Sequence, residues 1–237
     1  MVGLGGGFIL VPVLRLFFGL APAEASGTAL VLVVANSGSG SLTYLLQRRV
    51  HVRVGLLFAS GGWIGSIIGA LLAKRISESL FDDLLAILLI AVAIDMILRR
   101  AKSVGREPEV RRVDRLRGVP TAIALALGFL IGLVSSLFGI GGGVIMVPSL
   151  LYFSDLPAHA ISATSHFGIV LTSPVGLATH AFEHDIRLAD ILPLVVGGLL
   201  GGPIGASLSL RLKSPQLLVF VAFALAIGAV ALIVHHV

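Results

Sequence analysis

The sequence predicts an all-α, polytopic membrane protein built from two homologous repeats, with helices broken by glycine. Three observations predict it. Hydrophobic residues make up 57% of the 237 positions and charged residues only 12%, with a mean hydropathy of +1.06. A soluble domain carries about twice that share of charge, roughly 25%, because it must cover its surface with polar groups. Apolar runs near or above about 18 residues recur, and each reaches across a hydrocarbon core of roughly 30 Å. They lack strand-like alternation, and lipid leaves no backbone group unpaired, so the spans are helices rather than barrel strands. Finally, the phrase "GLGGGFILVPVL" at 3–14 returns as "GIGGGVIMVPSL" at 139–150.

Sliding the chain over itself by 136 (139 minus 3) aligns Gly3–Ile76 with the second half without a gap. Roughly a third of the paired positions are identical, the mark of an internal duplication. Ser26 meets Ser162, Thr28 meets Thr164, Ser37 meets Ser173 and Thr43 meets Thr179. Gly61, Gly65 and Gly69 meet Gly197, Gly201 and Gly205, a four-residue spacing that suits close helix packing.

The elements follow in order. Each repeat reads as a glycine break with a short helix, then three longer helices. The first repeat, 1–98, gives Phe8–Leu20, Ala23–Gln47, Val52–Ala73 and Leu80–Leu98. The second, 119–237, gives Val144–Phe153, Ala158–Phe182, Leu188–Leu210 and Leu217–Val234. Ahead of the second break stands the apolar stretch "PTAIALALGFLIGLVSSLF" at 120–138, whereas only Met1 and Val2 precede the first. The expectation is therefore that the first repeat lacks its opening transmembrane helix; the other reading has the protein begin here with seven long or half segments.

Residues 99–118 form a polar linker carrying Arg99, Arg100, Lys102, Arg106, Arg111, Arg112, Arg115 and Arg117. Basic loops stay in the cytoplasm, so the linker is expected there, in a bacterial inner membrane. The same location accounts for the net charge of +5 without a nucleic-acid partner. Repeat orientation stays open. Parallel repeats place 12 of the 17 Lys and Arg inside, and inverted repeats place 13. The segment 120–153 would make about 50 Å of helix, long for one crossing, which favours a break with a returning half-helix.

Glycine lets backbone leave helical geometry and be approached closely. At membrane depth such a break persists where it is buried in protein or lines a cavity. The helix that resumes after it presents free N–H groups and a positive dipole end, a ready anion site. The candidate substrate-binding residues are therefore Gly5, Gly6, Gly7 and Phe8 with Gly141, Gly142, Gly143 and Val144. Pro12 and Pro148 are expected in the first turns, where a missing N–H does least harm. Ser26, Thr28, Ser162, Thr164 and Ser165 offer hydroxyl donors near the starts of long helices; capping or back-bonding to helical carbonyls is the equal alternative. Asn36 and Thr172, at matched mid-helix positions, and His166 complete the set. His180, near a helix end, is expected to be solvated, as is the loop "EHDIRLAD" at 183–190. Asp95 is expected to pair with Arg99 one turn on.

With no cysteine, no H-E-x-x-H and no nucleophile–base pair, the sequence offers no catalytic residue, metal site or cofactor site, and enzyme activity is not expected. The partners expected are a small anion and the lipid bilayer, with a second copy of the chain left open. The doubled glycine phrase, the Ser-x-Thr segments "ASGTAL" and "ISATSH", and the stripes "GGWIGSIIGA" and "GGLLGGPIGA" resemble the TauE/SafE sulfite exporter family of membrane permeases. That resemblance implies a multi-pass permease moving sulfite, organosulfonates or similar anions. Two alternatives stand beside it: a proton- or cation-coupled carrier of another solute, and a membrane scaffold with no transport role.

Overall fold

The structure, a computed structural model, describes residues 6–103, 121–154, 156, 158–208, 223 and 225–232. Eight helices are defined: α1 (Gly7–Phe18), α2 (Pro22–Leu46), α3 (Val52–Ala73), α4 (Glu78–Ser103), α5 (Thr121–Phe138), α6 (Gly143–Phe153), α7 (Ala158–Phe182) and α8 (Ile191–Leu208). A 3-10 turn, Leu188–Asp190, leads into α8, and residues 225–232 are helical. Among the described residues, α2, α3, α5 and most of α7 are long and apolar enough to cross a membrane, and no strand occurs. The chain is an all-α polytopic membrane protein. Linker residues 104–118 and Gly5 lie outside the described residues, and α4 continues five residues past the expected linker boundary.

Local chemistry sets the helix ends. Pro22 opens α2, where its fixed φ fits and no N–H is missed. Gly19, at φ 60°, closes α1 by donating its N–H to the Leu14 carbonyl. Pro12 and Pro148 each stand at the sixth position of their helices, one residue deeper than the expected starts at Phe8 and Val144 place them. There the ring takes away the donor that would meet the carbonyl four residues earlier, at Phe8 and at Val144.

Paired contacts define the topology. Thr28, near the start of α2, accepts a hydrogen bond from the Arg187 amide in the turn after α7 (3.0 Å). Thr164, near the start of α7, accepts one from the His51 amide in the turn after α2 (3.1 Å). α2 and α7 therefore run antiparallel. Residues 28 and 164, like 51 and 187, stand 136 apart, so each contact is the other with the halves exchanged. The exchange recurs one layer out: Gly62 of α3 backs onto Thr172, and Gly198 of α8 backs onto Asn36. The matched segments α2 and α7 thus run in opposite directions.

α5 lies parallel to α3 along the glycine stripe. A Cβ on Gly61, Gly65 or Gly69 would overlap the backbone of Leu125, Phe129 or Leu133, and Gly128 and Gly132 of α5 reciprocate against Phe58 and Gly62. Among the described residues, two of the matching positions on α8 lack such a partner: Gly197 has open space, and Gly201 meets Asn36 Oδ1, 4.0 Å from an added Cβ. α6 doubles back. Its Met146 and Leu150 share a buried cluster with Ala124 and Ile131 of α5 and with Ala160 and Ile161 at the start of α7. The segment 121–153 is thus one crossing and a returning half-helix.

α4 closes the other side of the bundle. Its Phe81, Leu85, Leu89, Val92 and Ala93 join Phe8, Val11 and Leu14 of α1 in the largest buried cluster. A buried ion pair locks this packing: Arg15 Nε and Nη2 donate to Asp82 at 2.9 and 2.5 Å, and Nη1 donates to the Leu20 carbonyl. Glu78, an exposed residue, takes a second share of the guanidinium at 3.2 Å.

Candidate functional site

The two glycine breaks meet. Gly139, Gly141 and Gly142 have φ of 65°, 84° and 66°, and Gly6 has φ 90°, all in the left-handed region that favours glycine. A Cβ on Gly7 would overlap the Gly139 carbonyl and stand 2.9 Å from both Ile140 Cα and the Val33 side chain. One on Gly141 would stand 2.6 Å from Val33. Val33 is one residue from the midpoint of α2, so α1 and α6 both begin about halfway along the crossing helices. From there α1 runs to the end that holds Arg187, and α6 runs to the end that holds His51. Two positive dipole ends stand back to back at mid-depth.

The two breaks differ in access. Gly139–Val144 are buried. Gly143 donates its N–H to the Gly141 carbonyl at 2.8 Å, tightening the second break. Gly6 is half-buried, and among the described residues the direction its missing side chain would take is bounded by Asn36 Nδ2 at 3.9 Å. Asn36 itself is half-buried and sits among Gly6, Gly198 and Gly201. Phe8 is buried in the α1–α4 core. Val144 lines a cavity of about 250 Å³ with Asp95, Ser149 and Tyr152, between α4 and α6. Asp95 thus faces this cavity; the Arg99 side chain lies outside the described residues.

The hydroxyls divide by role. Ser26 donates to the Leu137 carbonyl at 2.8 Å, tying α2 to the end of α5 just before the second break. Thr28 and Thr164 hold the Arg187 and His51 amides at opposite ends of the α2–α7 pair. Since Tyr44 packs on Ala163, the two threonines are separated by about sixteen residues of α2, roughly 24 Å at 1.5 Å per residue. They cannot converge on one small ion. Thr172 Oγ1 donates back to the Gly168 carbonyl at 3.0 Å. Ser165 is buried and Ser162 half-buried. His166 is buried edge-on to Tyr44, ring centroids 5.5 Å apart, against the bare backbone of Gly40. The structure therefore brings Gly6, Gly7, Asn36, Gly141, Gly142 and Gly143 together and leaves Thr28 and Thr164 toward opposite ends of the α2–α7 pair.

His180 corrects an expectation. It is fully buried, not solvated, because loop 183–187 folds back over the end of α7 and lies against Gly27 of α2. Sequence reasoning missed Arg15 and Asp82 altogether. Among the described residues no cluster of His, Asp and Glu has the makings of a metal site.

Broken helices meeting inside a bundle of membrane-spanning ones define the class: a polytopic membrane transporter. The chain matches the family described as Sulfite exporter TauE/SafE over residues 1–232, and it belongs to that family. It is 30% identical to the probable membrane transporter protein YunE of Bacillus subtilis, over 90% of this chain and 84% of the relative. A probable membrane transporter protein of Xylella fastidiosa is 28% identical over 99% of this chain and 88% of the relative. The probable membrane transporter protein MJ0441 of Methanocaldococcus jannaschii is 28% identical over 88% and 82%. No solved structure matches the chain.

Proposed function

We propose that this transporter is a secondary permease for small sulfur-containing anions such as sulfite or organosulfonates. One observation carries the reading: α1 and α6 start together beside Val33, each from a left-handed glycine, with their positive ends at mid-depth. Backbone amides there stabilise an anion without a buried cation competing for it. Asn36 supplies an amide side chain at the more open break. The two halves, running in opposite directions about this point, then expose the anion to either face in turn. The end that holds His51 also carries Arg48, Arg49 and Arg53 and receives the end of α4, which leads into the linker. That end is the cytoplasmic one in this reading.

Membership of the family described as Sulfite exporter TauE/SafE supports the substrate class. A second reading, a cation-coupled carrier of another solute, would draw on Asp95 in the cavity between α4 and α6. Flux into liposomes separates them. Sulfite and a small sulfonate should move faster than chloride, without dependence on Na⁺ or K⁺. Asn36→Leu should lower that flux by about tenfold, the loss of one good hydrogen bond to an ion, in a chain that still folds. Equal flux in Asn36→Leu and the native chain would remove the first break from the site.

A further inference from the structure

The clearest group that the permease reading leaves unused is the imidazole of His180. It stands three residues in space from the second break, since its Nε2 lies 2.9 Å from the carbonyl oxygen of Ser136. That carbonyl can only accept, so Nε2 carries a hydrogen. Nδ1 faces the Asp185 carboxylate, with Oδ2 3.7 Å away, and neither atom has another hydrogen-bond partner. A carboxylate also only accepts. An imidazole with one proton therefore meets one of its two acceptors with a lone pair, and at that spacing two lone pairs confront each other in a buried place.

We infer that the gap between His180 Nδ1 and Asp185 Oδ2 is a proton-binding site, and that the proton it takes up accompanies the transported anion. The balance is simple. A proton from water reaches the partly open face of Asp185, Nδ1 becomes N–H, and it donates to Oδ2 while Nε2–H keeps Ser136. The pair changes from a net charge of −1 to neutral, and release reverses the step. Among the described residues, Glu183, His184 and Arg187 come from the same loop, and Lys74 comes from the end of α3, 3.0 Å from Glu183 and 3.9 Å from Asp185. α2 presents Gly27 and α5 presents Ser136, neither of them charged. The hydrogen bond from Lys74 to Glu183, with the Asp185 charge, holds the ammonium above the ordinary lysine range, so Lys74 stays protonated throughout.

The position also gives the proton a mechanical reach. Closing the gap draws loop 183–187 toward α7, and the same loop holds α2 through the Arg187 amide on Thr28. Ser136 stands three residues before the left-handed Gly139. Protonation thus tightens the contact between the loop, the start of α2 and the approach to the break.

The coupling part of this inference rests on the permease reading; the proton site does not. Nitrogen-15 histidine spectra of the full chain in lipid nanodiscs, recorded from about pH 5 to 8.5 across the ordinary histidine range, test the site itself. His180→Gln identifies the resonance among the seven histidines. The native chain should pass between singly and doubly protonated rings. Asp185→Asn should lack the doubly protonated form over the same range, and Asp185→Glu should restore it. A ring that stays singly protonated throughout overturns the site. In liposomes clamped at zero potential, one unit of pH difference should then drive about a tenfold anion ratio for one proton per anion. His180→Gln and Asp185→Asn should both equilibrate to equality. Full pH-driven accumulation in both variants overturns the coupling. A His180 that titrates while no anion moves upholds the proton site and refutes the permease reading alone.

Discussion

Replacing Gly65 with alanine tests the seam on which the α3–α5 pair is built. The added methyl would overlap the Phe129 carbonyl oxygen and stand 2.8 Å from Leu133 N and 2.9 Å from Phe129 C. Carbon contacts settle near 3.5–4.0 Å, so the helices must part by about 1 Å; a gap of 0.5–1 Å forfeits a quarter to a half of each dispersion well along the seam. None of the three atoms can turn aside, because all are backbone. Overfilling a packed core costs about 1–3 kcal/mol, and five interlocked glycines put this site at the upper end, about 3 kcal/mol. Alanine's higher helix propensity, worth about 1 kcal/mol, leaves a net cost of about 2 kcal/mol. For a chain of this size the melting temperature should fall by roughly 4–8 °C. Trp63, the single tryptophan, rides on the same helix with its indole N–H on the Leu171 carbonyl at 2.9 Å, so its fluorescence reports the melt in detergent. Gly197→Ala is the control. It occupies the position matching Gly61 (61 plus 136), yet among the described residues no atom of another element lies within 4 Å of its added Cβ, and it should melt at or slightly above the native temperature. Equal melting temperatures for the two variants would refute the close-packing argument.

Breaking the Arg15–Asp82 pair should be costly: Asp82→Asn leaves a buried guanidinium short of its partner, and unfolding in denaturant should register a loss of about 3 kcal/mol. Glu78→Gln, on the exposed arm of the same arginine, should change stability by less than about 1 kcal/mol. Thr28→Val and Thr164→Val should each cost about 1 kcal/mol and act on one amide apiece. Hydrogen exchange should quicken at Arg187 in the first and at His51 in the second, and a reversed or shared pattern would contradict the exchanged contacts. Ser26→Ala should loosen the end of α5, raising exchange at 137–142 ahead of the rest of the chain.

Much of the fold was legible because its signals are local. The boundaries of α3 and α7 coincide with those the sequence predicts, and α2 and α6 differ by one residue at most. The glycine phrases marked both breaks, since only left-handed backbone needs glycine at those positions. What a periodic pattern cannot carry is which surfaces face each other. Arg15 and Asp82 are separated by 67 residues, so nothing near either one announces the pair. His180 reads as a helix end in one dimension, but the loop that buries it folds back from three to five residues later. The site divided along the same line. Its backbone part was visible in the repeat, whereas the destinations of the Thr28 and Thr164 hydroxyls depend on antiparallel packing that charge counting left undecided.

The ion pair at Arg15 has one more consequence. The counterpart of Arg15 in the other half, 136 residues on, is Leu151. One short limb is therefore bolted to its neighbour by charge, a fastening that the apolar Leu151 cannot give its twin.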